Sequence, residues 1–189
     1  MNYNARISEF IHFSKYFDIN ILKFMIIKKN FKAICMDSID IKILDCLQID
    51  ATLPVSEVAK QVGLSTSPCW NRIQRLERAG IIRGRVALLD AESLNVDVTA
   101  FVSIRTNHHS AAWFEKFSAA VSSFTEVVEF YRMSGDVDYL LRVVVPDIAS
   151  YDEFYKRLIE YVDLTDVSSS FAMEQIKYTT ALPLDYAVT

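Results

Sequence analysis

The chain has 189 residues, 51% of them apolar, enough to bury a core as one large or two small domains. Its formal net charge of −4 excludes a protein that coats nucleic acid without regard to sequence. Its three cysteines, Cys35, Cys46 and Cys69, include no Cys-x-x-Cys pair, which excludes a disulfide framework or zinc site and suits small buried thiols in a cytoplasmic protein.

The charge is unevenly spread. Residues 1–35 hold six Lys and Arg against two Asp and Glu, a net of +4; residues 36–90 hold seven against seven. Residues 91–189 hold seven against fifteen, a net of −8, so contact with DNA must come from a local basic face outside the acidic C-terminal half. Residues 1–35 form an extension rich in Ile, Lys, Asn and Phe. Its apolar run from Ile19 to Ile27 is broken by Lys23 and is too short to span a bilayer. Three readings stay open for it: an amphipathic extra helix, a membrane-surface anchor, or upstream sequence translated from a misplaced start. Met36, directly before a clean domain start, favours the last, and no membrane partner is expected.

From residue 36 the elements follow in order. Asp40 as N-cap, with Ile39 as hydrophobic staple, predicts a first helix that turns Ile43, Leu44 and Leu47 to one face. A second helix begins near Ser56 and buries Val58, Ala59 and Val62. After a turn at Gly63, either Ser65 or Ser67 caps a third helix, whose first turn tolerates Pro68. Cys69, Ile73 and Leu76 are its inward stripe, and Gly80 ends it. Three helices with one shared apolar face read as a helix-turn-helix, in which the third helix lies in the DNA major groove. Its outward positions are Ser67, Asn71, Arg72, Arg75 and Arg78, which suit base edges and phosphates. Residues 82–89 read as a short strand pair around Gly84, a wing that carries Arg83 and Arg85.

Residues 99–179 change period. Strand-like runs at 100–105, 127–133, 139–145 and 167–178 alternate with helical spacing at Trp113, Phe114, Phe117 and Val121 and again from Ile148 to Ile159. The order βαββαβ is that of a ferredoxin-like αβ sandwich, with both helices on one sheet face, and the uncovered face predicts a dimer through stacked sheets. The fold class is therefore α+β. Residues 36–88 form a winged helix-turn-helix, 89–98 a linker, and 99–189 the sandwich.

Little points to catalysis. His108 and His109 are adjacent and diverge on any regular element, His12 is the only other histidine, and no Ser/His/Asp or paired-carboxylate spacing occurs. No enzyme, metal or cofactor is expected, and Cys69 sits where packing claims it. The best small-molecule candidate is the hairpin from Met133 to Tyr139. Its glycine turn exposes backbone amides, and Asp136 and Asp138 suit an ammonium group, although Gly-Asp also reads as a plain turn.

From Asp40 to about Leu184 the chain resembles the Lrp/AsnC family of transcriptional regulators. The residues that carry the resemblance are Ile39-Asp40 with Ile43-Leu44, Val62-Gly63-Leu64-Ser65, and Pro68-Cys69-Trp70-Asn71-Arg72-Ile73. Further on they are Arg75-Leu76-Glu77 before Gly80-Ile81-Ile82, Ser134-Gly135-Asp136 with Asp138-Tyr139-Leu140-Leu141, and Met173-Glu174-Gln175-Ile176-Lys177. The resemblance implies a winged helix-turn-helix joined by a strand-like linker to a RAM-type sandwich that binds amino-acid effectors, assembled as homodimers or higher homo-oligomers. It implies DNA contact by Ser65, Thr66, Ser67, Asn71, Arg72, Arg75, Arg78, Arg83 and Arg85. It implies an effector between sandwiches at Ser134, Gly135, Asp136, Asp138 and Tyr139, with Ser170, Phe171, Ala172 and Met173 supplied by a neighbouring subunit. Ser67-Pro68-Cys69-Trp70 and the run from Ser168 to Thr180 look most like the DecR-type branch, associated with cysteine-responsive control. The alternative is an architectural oligomer that organises DNA with little ligand control.

Overall fold

The computed structural model describes residues 35–108, 110–161 and 164–187. The three readings of the extension, residues 1–35, fall outside those residues except for Cys35, and so do the expectations for His12 and His109. The chain divides into two compact units, one of residues up to Ala87 together with those from Tyr178, the other Leu88–Lys177.

The first unit is three helices: α1 (Ser38–Ile49), α2 (Val55–Val62) and α3 (Thr66–Arg78). The N-cap of α1 is Asp37, not Asp40. Asp37 Oδ1 accepts from the backbone N–H of Ile39 at 3.0 Å and of Asp40 at 2.9 Å, and Asp40 reaches back to accept from the Asp37 N–H at 3.1 Å. This reciprocal capping box satisfies amides that have no partner within the helix. Gly63 ends α2 at φ +74°, a left-handed geometry that most side chains resist, and so turns the chain tightly into α3. Ile43, Leu44, Val58, Ala59, Val62, Cys69, Ile73 and Leu76 form the core, as their periodicity predicts.

The wing is corrected. Residues 83–90 contain no strand and no hairpin. Gly84 does not adopt the positive φ that a tight hairpin turn uses, and the runs beside it are only a few residues long. Val86, Leu88 and Leu89 are exposed. The far boundary also moves: the last described residues belong with the helices, not with the sheet. Leu182 N–H donates to Gln48 Oε1 at 3.0 Å, Gln48 Nε2 donates to Leu182 O at 3.3 Å, and Leu184 packs on the helical core.

The second unit is β1 (Val98–Arg105), α4 (Ala111–Ser123), β2 (Val127–Arg132), β3 (Tyr139–Val145), α5 (Ile148–Tyr161) and β4 (Asp166–Phe171). The antiparallel sheet has the order β2-β3-β1-β4, so β1 pairs with both β3 and β4. Ala100, Val102, Ile104, Leu141, Val143 and Val145 point to one face and pack against Phe117 and Val121 of α4 and Phe154 and Leu158 of α5. Strand β4 stops well short of Tyr178. Phe171 pairs with Ala100, the Ala172 N–H takes the Thr99 carbonyl, and β1 begins at Val98, so the ladder has run out of neighbour. No helix among the described residues is long and apolar enough to cross a membrane.

Candidate nucleic-acid interface and effector site

The exposed uncharged polar positions of α3 lie in its N-terminal half, with Arg75 and Arg78 exposed further along. Ser65 caps the helix in extended geometry, and Thr66, Ser67 and Asn71 follow on the surface. Trp70 lies beside Asn71 with 48% of its surface exposed. The sequence expectation weighs only polar and basic positions and so passes over Trp70. Its signal is the i, i+3 spacing from Ser67, which puts both on neighbouring surface.

The arginines behave differently from one another. Arg72 and Arg75, expected to face outward, turn back onto the first turn of α1. Arg72 Nη1 donates to Asp37 Oδ1 and Oδ2 at 2.8 and 2.7 Å and to Asp40 Oδ1 at 2.8 Å, and Arg75 Nη2 donates to Asp40 Oδ2. The Asp40 side chain has no exposure, whereas those of Arg72 and Arg75 keep 27% and 46%. The physical reason is the Asp-x-x-Asp of the capping box, which concentrates two carboxylates where two guanidiniums can reach them. The amide of Asp40 and then the Arg72 guanidinium hold the Asp37 carboxyl below its ordinary value, and the same pairing raises Arg72. Arg78 lies along its own helix, donating from Nε to the Gln74 carbonyl, and Arg85 pairs with Glu77 at 3.1 Å. Arg83 is exposed.

In the second unit, the hairpin places Ser134, Gly135 and Asp136 at an exposed tip, with Gly135 at φ +105°. Asp138 is committed to the fold. Its carboxylate accepts the Thr106 N–H at 2.8 Å, its N–H donates to Ile104 O at 3.0 Å, and its carbonyl accepts the Met133 N–H at 2.8 Å. Tyr139, expected at the effector, is a core residue among the rings of Trp113, Phe114, Phe117 and Phe130, and burial raises its phenol pKa. The helix-facing register of β3 puts it there.

The other expected effector residues stand elsewhere. Ser170 lies opposite Phe101 on the open face, and Phe171 faces the helices, edge-on to Tyr151 at 4.9 Å. Met173 is 97% exposed. Tyr139 pairs with Ile104 and Phe171 with Ala100, four residues apart on β1 or about 13 Å at ordinary strand rise. One chain therefore does not bring the two halves of the expected set together. A groove of about 370 Å³ opens between α5 and β4 instead, lined by Ile148, Tyr151, Asp152, Tyr155, Val167, Ser169 and Phe171. Only Phe171 of the expected residues lines it.

A helix-turn-helix followed by a four-stranded αβ sandwich defines a two-part DNA-binding regulator. Residues 36–77 match the AsnC-type helix-turn-helix domain, and residues 99–182 the Lrp/AsnC ligand binding domain. The chain is 54% identical over 151 residues to the DNA-binding transcriptional activator DecR of Escherichia coli (strain K12), covering 79% of this chain and 99% of that protein. It is 48% identical over 149 residues to the glutamate uptake regulatory protein of Zymomonas mobilis, covering 79% and 91%. Among solved structures, an AsnC family transcriptional regulator from Agrobacterium tumefaciens matches at 68% identity and TM-score 0.78, over 80% of this chain and 99% of that one. A Neisseria meningitidis transcriptional regulator in complex with L-Met matches at 36% and 0.77, over 81% and 99%. This chain belongs to the Lrp/AsnC family and is a DNA-binding transcriptional regulator.

Proposed function

We propose that the chain binds duplex DNA through the N-terminal half of α3 and that a small amino acid held by the sheet unit tunes that binding. The observation that carries the first part is the exposed polar row Ser65, Thr66, Ser67 and Asn71, on a helix start whose free amides and hydroxyls suit phosphate oxygens and base edges. Arg78 and Arg83, both exposed, supply phosphate contacts, whereas Arg85 is already paired with Glu77.

For the effector, Asp136 stands at the hairpin tip as the carboxylate for an ammonium group, while Asp138 and Tyr139 support the turn from behind. The separation of Ser134–Asp136 from Ser170–Met173 within one chain favours a site completed by a second subunit. The sheet offers a surface for that subunit: its open face carries Phe101, Leu140, Val144 and the Arg142–Glu129 pair at 2.8 Å, none of them covered by a helix. Cysteine is the first candidate effector, from the resemblance to the DecR-type branch. An effector can shift DNA affinity only by its differential affinity for two assembly states.

The test is to measure DNA affinity and oligomer mass with and without L-Cys, L-Met, L-Glu and L-Leu. A shift in both with one of them is expected. Indifference to all four overturns the effector reading and favours an architectural oligomer.

A further inference from the structure

We propose that Asp37 and Asp40 are positioning residues that withhold Arg72 and Arg75 from DNA phosphates, and so set the ratio of specific to nonspecific binding. The proposal rests on the reading of α3 as the DNA-contacting helix. Of the basic side chains on that helix, the two arginines nearest its middle are already bonded to carboxylates of α1. Two guanidiniums and two carboxylates sum to zero charge. Asp40 is fully buried and accepts from both arginines as well as from the Asp37 amide. Asp37, at 51% side-chain exposure, is the solvent-facing partner that balances the second guanidinium.

The chemical consequence follows from counterion release. Nonspecific affinity scales with the number of phosphates that protein cations neutralise, and a cation already balanced by a carboxylate adds little to that count. What Arg72 and Arg75 do instead is tie α3 to α1, which fixes the angle at which the exposed Ser67 and Asn71 edge meets a groove. Affinity is thereby shifted from phosphate attraction toward the groups that read bases. In a chain whose residues 36–90 carry seven basic against seven acidic side chains, neutralising two arginines leaves few cations for indiscriminate binding.

The test titrates the full-length chain against a mixed-sequence duplex DNA between about 50 and 200 mM salt, where log affinity falls linearly with log salt. Asp37→Asn keeps a good helix cap but leaves one positive charge uncompensated. Its slope should steepen by about 0.9, the value of one added phosphate contact, so that affinity falls about threefold more across that range than for the unaltered chain. Arg72→Gln alone should leave the slope unchanged, and Arg72→Gln added to Asp37→Asn should restore the original slope. A merely structural role for Asp37 would lower the melting temperature without steepening the slope. The proposal is overturned if Asp37→Asn, with its circular dichroism intact, keeps the original slope. It is equally overturned if Arg72→Gln alone flattens the slope by about 0.9, which would place Arg72 on a phosphate already. That second arm decides the matter if Asp37→Asn does not fold. Failure of the unaltered chain to bind DNA at all overturns the reading of α3 itself, and the clamp's role with it.

Discussion

The helical unit and the sheet unit solve the burial problem in different ways. The helical unit has a small apolar core and adds polar fastenings to it: the reciprocal Asp37–Asp40 cap, the four-residue ion network, and the Gln48 amide that grips the backbone at Leu182. The sheet unit relies on apolar contact, with ring stacking around Phe117 and Tyr139, and leaves a whole sheet face without a helix. Small cores bury a lower fraction of their surface, so a unit of this size gains most from each satisfied polar group. The larger core can spare a face, and that spare face is what an assembling regulator needs.

The contrast is broken most severely by Phe117→Ala. Phe117 is fully buried and touches both strands and helix, so its loss should cost about 3–5 kcal/mol and unfold the sheet unit first. Urea unfolding followed by tryptophan fluorescence checks this, since Trp113 stacks on Phe117 at 4.9 Å while Trp70 belongs to α3. A change in the Trp70 signal alone would contradict the division.

Asp40→Ala should come next. It leaves two guanidiniums without their shared acceptor and opens the capping box. The cost is expected at about 2–3 kcal/mol, below that of a fully enclosed pair because both arginines reach solvent. Unfolding followed by the fluorescence of Trp70, with Trp113 replaced by Phe, should show the loss in the first unit. No destabilisation there would mean the network is ornamental and the small core suffices.

The smallest effect is set by pH. The folded state depresses the Asp37 carboxyl, so its stabilisation is present above the ordinary value near 3.8 and is lost as pH falls below it. Thermal unfolding of the unaltered chain and of Asp37→Asn should therefore differ at pH 7, with the variant less stable, and converge in acid. A gap that persists at low pH would show that the charge on Asp37 contributes nothing.

Much of the fold is legible in the sequence because it rests on local periodicity. Cys69, Ile73 and Leu76 at helical spacing, and the alternation through Tyr139, Leu141, Val143 and Val145, each name a buried face without reference to anything distant. The helix-turn-helix, the βαββαβ order and the hairpin turn at Gly135 follow from such patterns. The site is less legible. An arginine on the outward arc of α3 reads as free, because nothing in its neighbourhood along the chain reveals that Asp37 and Asp40, more than thirty residues earlier, will stand within bonding distance. Asp138 likewise reads as a ligand group until the Thr106 amide, just past the end of β1, claims it.

The sequence by itself determined the two-part architecture, the exposed start of α3 and the membership that follows from its motifs. Only the tertiary structure decided which charges are spent internally, where β4 stops, and that the last residues return to the helices. Periodicity is a property of neighbours along the chain, whereas charge pairing and ladder length depend on which distant residue the fold delivers alongside.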